Sequence, residues 1–245
     1  MTMGTQGYSR ISVNKENNMK AVIFAAGEGT RMLPLTLETP KPMLMVLGKP
    51  LLQRTIELLP ENVDEVVVVV GYKREQIIAH FGAEYEGKRM TYVVQEKLGG
   101  TAEALMLAKE HLMDTAFFSF YADDIYDKGD VLKLLDHQYG VLVAEVADPR
   151  AFGVIELGAD GKIISFEEKP EHPKSNLVST GAFLLDPAIF NYTAEPHPKT
   201  GERYLTDMVM GLAKDRDFYG VITKRWIPIG YPADLVTAET YAQKH

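Results

Sequence analysis

An unbroken apolar run, Ala21-Val22-Ile23-Phe24, leads directly into Ala25-Ala26-Gly27-Glu28-Gly29-Thr30-Arg31. A strand apolar at every position must be covered on both faces, which is the condition of a parallel sheet packed between helices. Small residues follow it. Gly27 and Gly29 let the backbone approach an anion closely, and Thr30, Arg31 and Lys41 supply donors. Physically the segment is a triphosphate cradle. Lys41 stands between Pro40 and Pro42, whose fixed φ stiffens the flanking backbone and preorganises the cation. The spacing departs from the G-x-G-x-x-G dinucleotide fingerprint and from the G-x-x-x-x-G-K-[ST] loop.

Apolar runs of strand length recur at Val66–Val70, Tyr92–Val94, Phe117–Tyr121 and Val141–Val146. Helical spacing of apolar residues marks Leu51–Leu59 and Thr101–Leu112. This alternation over residues 19–137 predicts right-handed βαβ units, an α/β class and a mostly parallel sheet, with ligands outside the carboxyl ends of its strands. The remainder is less regular. Phe152–Leu157 and Lys162–Phe166 flank an Asp160-Gly161 turn and predict a hairpin. Leu177–Leu185 reads as a strand, with helices from about Tyr204 to Lys214 and over Pro232–Gln243. No internal repeat, low-complexity tract or domain linker appears, so residues 19–245 read as one domain whose second half, from about 138, extends the same sheet.

The net charge of −8 argues against a nucleic-acid surface but leaves room for a nucleotide held by a few cations in a cleft. Without cysteine, the chain has no disulfide, zinc–thiolate site or cysteine nucleophile. No apolar run approaches the roughly 18 residues of a membrane span, and a cytoplasmic protein is expected. Residues 1–18 are polar and lack a signal-peptide core; they read as a disordered leader, with Met19 as the functional start. The six histidines show no metal spacing.

Gly27-x-Gly29-Thr30-Arg31-x-x-Pro34-Leu35-Thr36 with Pro40-Lys41-Pro42-Met43 resembles the signature of sugar-1-phosphate nucleotidyltransferases, the NDP-sugar pyrophosphorylases. Further blocks follow in the family's order. Gln95 with Gly100-Thr101-Ala102 resembles the Q-x4-G-T/L-A segment, in which the glutamine reads the base and the Gly-Thr pair lies against the nucleoside. Taken alone, Gln95 would be a surface polar residue ending a strand; an amide nevertheless has the donor and acceptor that match a pyrimidine dione. Asp123, after Phe117–Tyr121, matches the family's magnesium-binding aspartate, with Ala122 where glycine is usual. Asp124 beside it reads as a helix cap or a supporting group. Gly153-Val154, Glu168-Lys169-Pro170, Thr180-Gly181 and Gly201-Glu202 with Thr206-Asp207 resemble elements around the sugar phosphate. The resemblance implies that Glu168, Thr180, Gly181 and Glu202 contact the sugar and that Lys169 meets its phosphate.

The resemblance implies a Rossmann-like three-layer sandwich, the nucleotide-diphospho-sugar transferase fold, with the nucleotide in residues 19–137 and the sugar in 138–245. The partners are then a nucleoside triphosphate and a sugar 1-phosphate, with Mg²⁺ as cofactor. Ala25, Ala26, Gly27, Gly29, Thr30, Arg31, Lys41, Gln95, Gly100 and Thr101 would bind the nucleotide. Arg31 and Lys41 would neutralise charge during transfer to an already anionic phosphate, so no general base is required. Ala25-Ala26-Gly27 resembles the UTP- and dTTP-using branch, UTP first; the sugar is a hexose or N-acetylhexosamine. One departure stands out: Pro228 in Trp226–Pro232 occupies the slot of the family's second metal-binding aspartate and offers no side-chain oxygen. Asp234, six residues on, falls in the first turn of the closing helix, where the dipole favours a carboxylate. No hexapeptide repeat follows, so the left-handed helix domain of acetyltransferase relatives is not expected. Family members often form dimers or tetramers, which leaves a homo-oligomer open. Two alternatives stand: a cytidylyltransferase acting on phosphocholine or another small phosphate, and a non-catalytic sugar-nucleotide sensor, favoured by Pro228.

Overall fold

The computed structural model describes residues 18–242; the expected leader, apart from Asn18, lies outside the described residues. Its elements begin with β1 (Met19–Ala25), a small hairpin of β2 (Met45–Val46) and β3 (Lys49–Pro50), and α1 (Leu51–Leu58). They continue with β4 (Val63–Val70), α2 (Arg74–Phe81), β5 (Glu84–Tyr85), β6 (Lys88–Val94), α3 (Thr101–Leu107), β7 (Phe117–Tyr121) and α4 (Lys128–Lys133). The second half supplies β8 (Gly140–Glu145), β9 (Gly153–Leu157), β10 (Ile163–Glu168), β11 (Leu177–Leu185), α5 (Leu205–Asp215), β12 (Tyr219–Ile222) and α6 (Pro232–Ala242).

One mixed sheet runs through both halves in the order β10-β9-β11-β7-β1-β4-β6-β5, with β8 also on β11 and β12 beyond it. β7, β1, β4 and β6 are mutually parallel; β11 pairs antiparallel with β7, β9 antiparallel with β11, and β10 antiparallel with β9. Strand alternation divides the core in two. Val22, Val67, Val69 and Phe117 pack with residues of α3 and α5 in one cluster. Ala21, Ile23, Val66, Val68, Phe118 and Phe120 pack with residues of α1, α2 and α4 in the other. The result is the expected three-layer sandwich. Each valine, isoleucine or phenylalanine among them contributes about 1.5–3 kcal/mol by leaving water; Ser119, at the centre of β7, is a fully buried polar exception.

The differences from expectation are local. The predicted helix over 101–112 is α3 followed by a separate tight 3-10 turn, Lys109–His111, a common way for a last turn to end. α2 and α4 carry no apolar periodicity in the sequence, because α2 buries only Ile77 and Phe81, and α4 only Asp130 and Val131. β12, a partly exposed strand, forms by parallel pairing with β8.

Successive strands add outward on one side of β1 (β4, then β6), whereas β7 lies on its other side. The crevice outside the carboxyl ends of β1 and β7 is therefore the place where such sheets bind ligands. The glycine loop leaves β1 there, and Ala122-Asp123-Asp124 leaves β7 there, joined by Ala122 N–H donating to Phe24 O at 3.1 Å.

Candidate active site

Two cavities open at this crevice. One of about 350 Å³ is walled by Ala25, Gly27, Gly29, Thr30 and Glu202, among others. The other, about 510 Å³, is walled by residues that include Thr101, Gly153, Glu168, Lys169, Thr180 and Tyr204. Arg31, Lys41, Asp123 and Gly230 belong to both. Gly29 adopts φ +64°, and a Cβ there would press against Lys41 Cβ and Thr36 Cγ2, both 3.0 Å away. Glycine thus lets the loop turn and brings Lys41 underneath it. Ala26, expected among the nucleotide contacts, lies outside both walls: it is buried and its carbonyl is taken by Tyr72 N–H at 3.2 Å.

At the junction of the cavities Lys41 Nζ donates to Asp123 Oδ2 at 2.5 Å. Asp124 turns inward. Its Oδ2 accepts from the indole of Trp226 at 3.0 Å and its Oδ1 from Ile229 N–H at 3.1 Å. Burial, reinforced by the neighbouring Asp123, pushes the Asp124 carboxyl up to about 7. Asp124 therefore holds the Trp226–Ile229 strap and is no helix cap. On that strap Pro228 faces the larger cavity. Asp234 Oδ2 accepts from Gly230 N–H at 2.8 Å and Tyr231 N–H at 2.7 Å, so it ties down the turn into α6.

No group of three or more His, Asp or Glu side chains is gathered as a metal cage among the described residues. A magnesium ion requires less: one or two protein carboxylates, with phosphate and water oxygens completing its shell. Asp123 fits that requirement, since its hard oxygen already faces a cationic group where the two cavities meet.

On the far side Glu168 Oε2 accepts from Thr206 Oγ1 at 2.8 Å, and Lys169 Nζ lies 3.5 Å from Glu168 Oε1. Burial works against the Lys169 charge, but Glu168 and the Tyr204 hydroxyl outweigh it and raise its pKa. Gly153 keeps the cavity floor flat, because a Cβ would come within 2.5 Å of Phe166. Gly181, outside both cavity walls, adopts φ +82°, where a Cβ would come within 2.3 Å of the Tyr121 ring, and lies within the break in the β11–β8 register.

Of the other expected sugar contacts, Thr180 lines the larger cavity but turns its hydroxyl away, and Glu202 lies elsewhere. Thr180 is fully buried and its hydroxyl donates to Leu142 O at 3.1 Å, so that hydroxyl serves the sheet. Glu202 walls the glycine-loop cavity instead of the larger one. Neither outcome is readable locally, since both depend on strands distant in the chain.

The Gln95 block is likewise altered by long-range contacts. Gln95 is buried at the end of β6 with Nε2 unpartnered, which contradicts a surface residue, and it lies outside both cavity walls. Gly100, at φ +96°, packs so closely that a Cβ would meet Arg203 O at 2.3 Å. Arg203 N–H donates to Gly99 O at 2.7 Å, Ala102 N–H to Arg203 O at 3.0 Å, and Leu205 N–H to Thr101 Oγ1 at 2.9 Å. Gly100 and Thr101 thus clamp the 203–205 segment. Sequence reasoning missed Tyr204, Trp226 as the partner of Asp124, and Tyr231, whose ring lies 5.7 Å from the Arg31 guanidinium carbon. The lone tryptophan was the one available signal.

A family model described as nucleotidyl transferase matches residues 20–245. The chain belongs to this family. Among its nucleotidyl transferase relatives is the bifunctional protein GlmU of Methanocaldococcus jannaschii, 36% identical over 91% of the chain. The chain spans 54% of that relative's length. The UTP–glucose-1-phosphate uridylyltransferase AglF of Haloferax volcanii is 37% identical over 92% of the chain and 97% of its own length. A protein assigned as a glucose-1-phosphate thymidylyltransferase of Bacillus anthracis, solved with sucrose, superposes with TM-score 0.82 at 29% identity, covering 93% of this chain and 96% of its own. A UDP-glucose pyrophosphorylase solved with UDP-glucose gives TM-score 0.79 at 26% identity, over 93% and 100%. No helix among the described residues is long and apolar enough to cross a membrane.

Proposed function

We propose that the protein joins a nucleoside triphosphate, UTP before dTTP, to a sugar 1-phosphate, releasing pyrophosphate. The observation that carries this reading is the sharing of Arg31, Lys41 and Asp123 between two adjoining cavities. A reaction between two phosphates needs positive charge at their meeting point, and that is where these cations stand. The triphosphate occupies the glycine-loop cavity, against Gly27, Gly29 and Thr30. The sugar 1-phosphate occupies the larger cavity, with Lys169 on its phosphate and Glu168 on its hydroxyls.

An oxygen of the sugar phosphate attacks the α-phosphorus in line; the new P–O bond forms as the bond to the β-phosphate oxygen breaks. The nucleophile is already anionic, so positioning and charge neutralisation supply the catalysis. Lys41 bridges the α-phosphate and the incoming phosphate, and Arg31 takes the charge that develops on pyrophosphate. Asp123 is the residue that would hold Mg²⁺, whose contribution when bound is to neutralise phosphate charge. Gln95, with a free buried amide N–H, is suited to a carbonyl of a pyrimidine dione at the edge of β6. The likeness to AglF supports uridine. Residues 19–137 supply most nucleotide contacts, although Glu202 reaches that side from the second half. On the same reading the protein works in the cytoplasm.

Pyrophosphate release from UTP, dTTP and CTP, each with glucose 1-phosphate, N-acetylglucosamine 1-phosphate or phosphocholine, tests this with and without Mg²⁺. UTP with one of the sugar phosphates and Mg²⁺ is the expected best combination. Preference for CTP and phosphocholine would favour the cytidylyltransferase. Pro228 favours a second reading, a sugar-nucleotide sensor; binding of UDP-sugar without any turnover would establish it.

A further inference from the structure

We propose that Tyr204 is the positioning residue for the Lys169 ammonium, joining it to Glu202 across the boundary of the two cavities. The proposal rests on the reading of Lys169 as the residue that meets the sugar phosphate. A lysine carries its charge on a flexible four-carbon stem, so it delivers that charge to a fixed point only where something holds it. The Lys169 backbone is held first: it adopts φ +45°, in the left-handed region, and its N–H donates to Phe152 O at 3.0 Å. Its ammonium is held by Tyr204. Nζ donates to the phenol oxygen at 3.2 Å and lies 4.6 Å from the ring centroid. One side chain thus offers a lone pair and a π face to the same cation.

The phenol is itself oriented. It donates to Glu202 Oε2 at 2.5 Å, and Thr200 Oγ1 lies 3.1 Å from it. A hydroxyl that donates to a carboxylate is polarised into a better acceptor, so the Glu202 bond strengthens the grip on Lys169. Tyr204 is buried, and its chain neighbours on both sides are fixed: Arg203 by Gly99 and Ala102, Leu205 by Thr101. The positioner is therefore rigid before any ligand arrives. Glu168, 3.5 Å from Nζ, offers the counter-charge for the ammonium. An entering phosphate meets an ammonium already in place, and the ordering cost of the lysine is removed from binding. Tyr204 walls the larger cavity while Glu202 walls the glycine-loop cavity, so the hydrogen-bond chain spans both substrates' sites.

Calorimetric titration of glucose 1-phosphate and N-acetylglucosamine 1-phosphate into the wild type, Tyr204→Phe, Lys169→Ala and the double variant tests this. Tyr204→Phe keeps the ring and the packing and removes only the hydroxyl. It should weaken the tighter sugar phosphate about tenfold, as loss of a hydrogen bond to a charged group does. In the Lys169→Ala background the same change should cost less than about twofold, because the residue it acts through is gone. UTP affinity should change far less than sugar-phosphate affinity in Tyr204→Phe. Equal losses in both backgrounds, or an equal loss of UTP affinity, would overturn the proposal and leave Tyr204 a packing residue. Lys169→Ala without effect, or a wild type that binds neither sugar phosphate, would overturn the reading of Lys169 and the proposal with it.

Discussion

Lys41 and Asp123, 82 residues apart in the chain, meet with Nζ 2.5 Å from Oδ2 at the boundary of the two cavities. The lysine side chain is 10% exposed and the carboxylate 31%, so the ion pair is shielded on one side and open to ligand on the other. The cation proposed to bind phosphate thus rests on the carboxylate proposed to hold the metal. On the proposed function, binding would be an exchange, in which phosphate takes Lys41 as a divalent cation takes Asp123.

That exchange predicts opposite effects of Asp123→Asn in two conditions. In EDTA, UTP should bind severalfold more tightly than to wild type, because a negative charge is removed and Lys41 is released. With Mg²⁺, the wild type should gain affinity and the variant should not. Calorimetry in the two buffers reads both; weakening by the same factor in each would show that Asp123 serves only to hold the loop.

Arg31 is exposed, and among the described residues its side chain meets the ring of Tyr231 but no hydrogen-bond partner. Arg31→Ala should lower the rate of pyrophosphate release by about a hundred- to a thousandfold, the usual cost of one preorganised charge-stabilising group. Its urea midpoint should match that of the wild type. Near-normal turnover would remove Arg31 from the machinery.

Gly100 is required by its conformation and by the space around it. Gly100→Ala imposes an unfavourable φ and drives a methyl into Arg203 O, at a cost of about 2–4 kcal/mol in urea unfolding. Because this junction clamps 203–205, sugar-phosphate affinity should fall in the fraction that remains folded. Gly27→Ala, with open space around its Cβ, should leave stability within about 0.5 kcal/mol of wild type.

Asp130 gives the fold an acid-sensitive element away from the site. Burial pushes its carboxyl up, but hydrogen bonds from Lys133 and Thr223 outweigh it and hold the pKa below the ordinary value. A depressed folded-state pKa contributes stability above the unfolded value, about 3.9, and loses it as pH falls through the folded value. Asp130→Asn should be less stable than wild type at pH 6, with the gap closing toward pH 3. Urea midpoints across that range check the sign.

Much of the fold was legible because its signals are local. The apolar runs at 21–24, 66–70 and 117–121 are strands since a chain apolar on both faces has only the middle of a sandwich to occupy. The Asp160-Gly161 turn joins β9 to β10 as its residues demand. α2, α4 and β12 were not legible, because few apolar contacts hold each of them and its neighbours decide its conformation.

By itself, the sequence determined the strand–glycine-loop unit, the cation between two prolines and the order of the blocks that mark the family. Only the tertiary structure decided what each side chain faces. It turned the Thr180 hydroxyl into the sheet, moved Glu202 to the glycine-loop side and set Tyr204 between Lys169 and Glu202. It also converted Gly100-Thr101 into a clamp on a segment 104 residues away. The reason is physical: backbone conformation follows from local sterics and patterning, whereas the direction of a polar side chain is fixed by partners that meet only when distant strands pair.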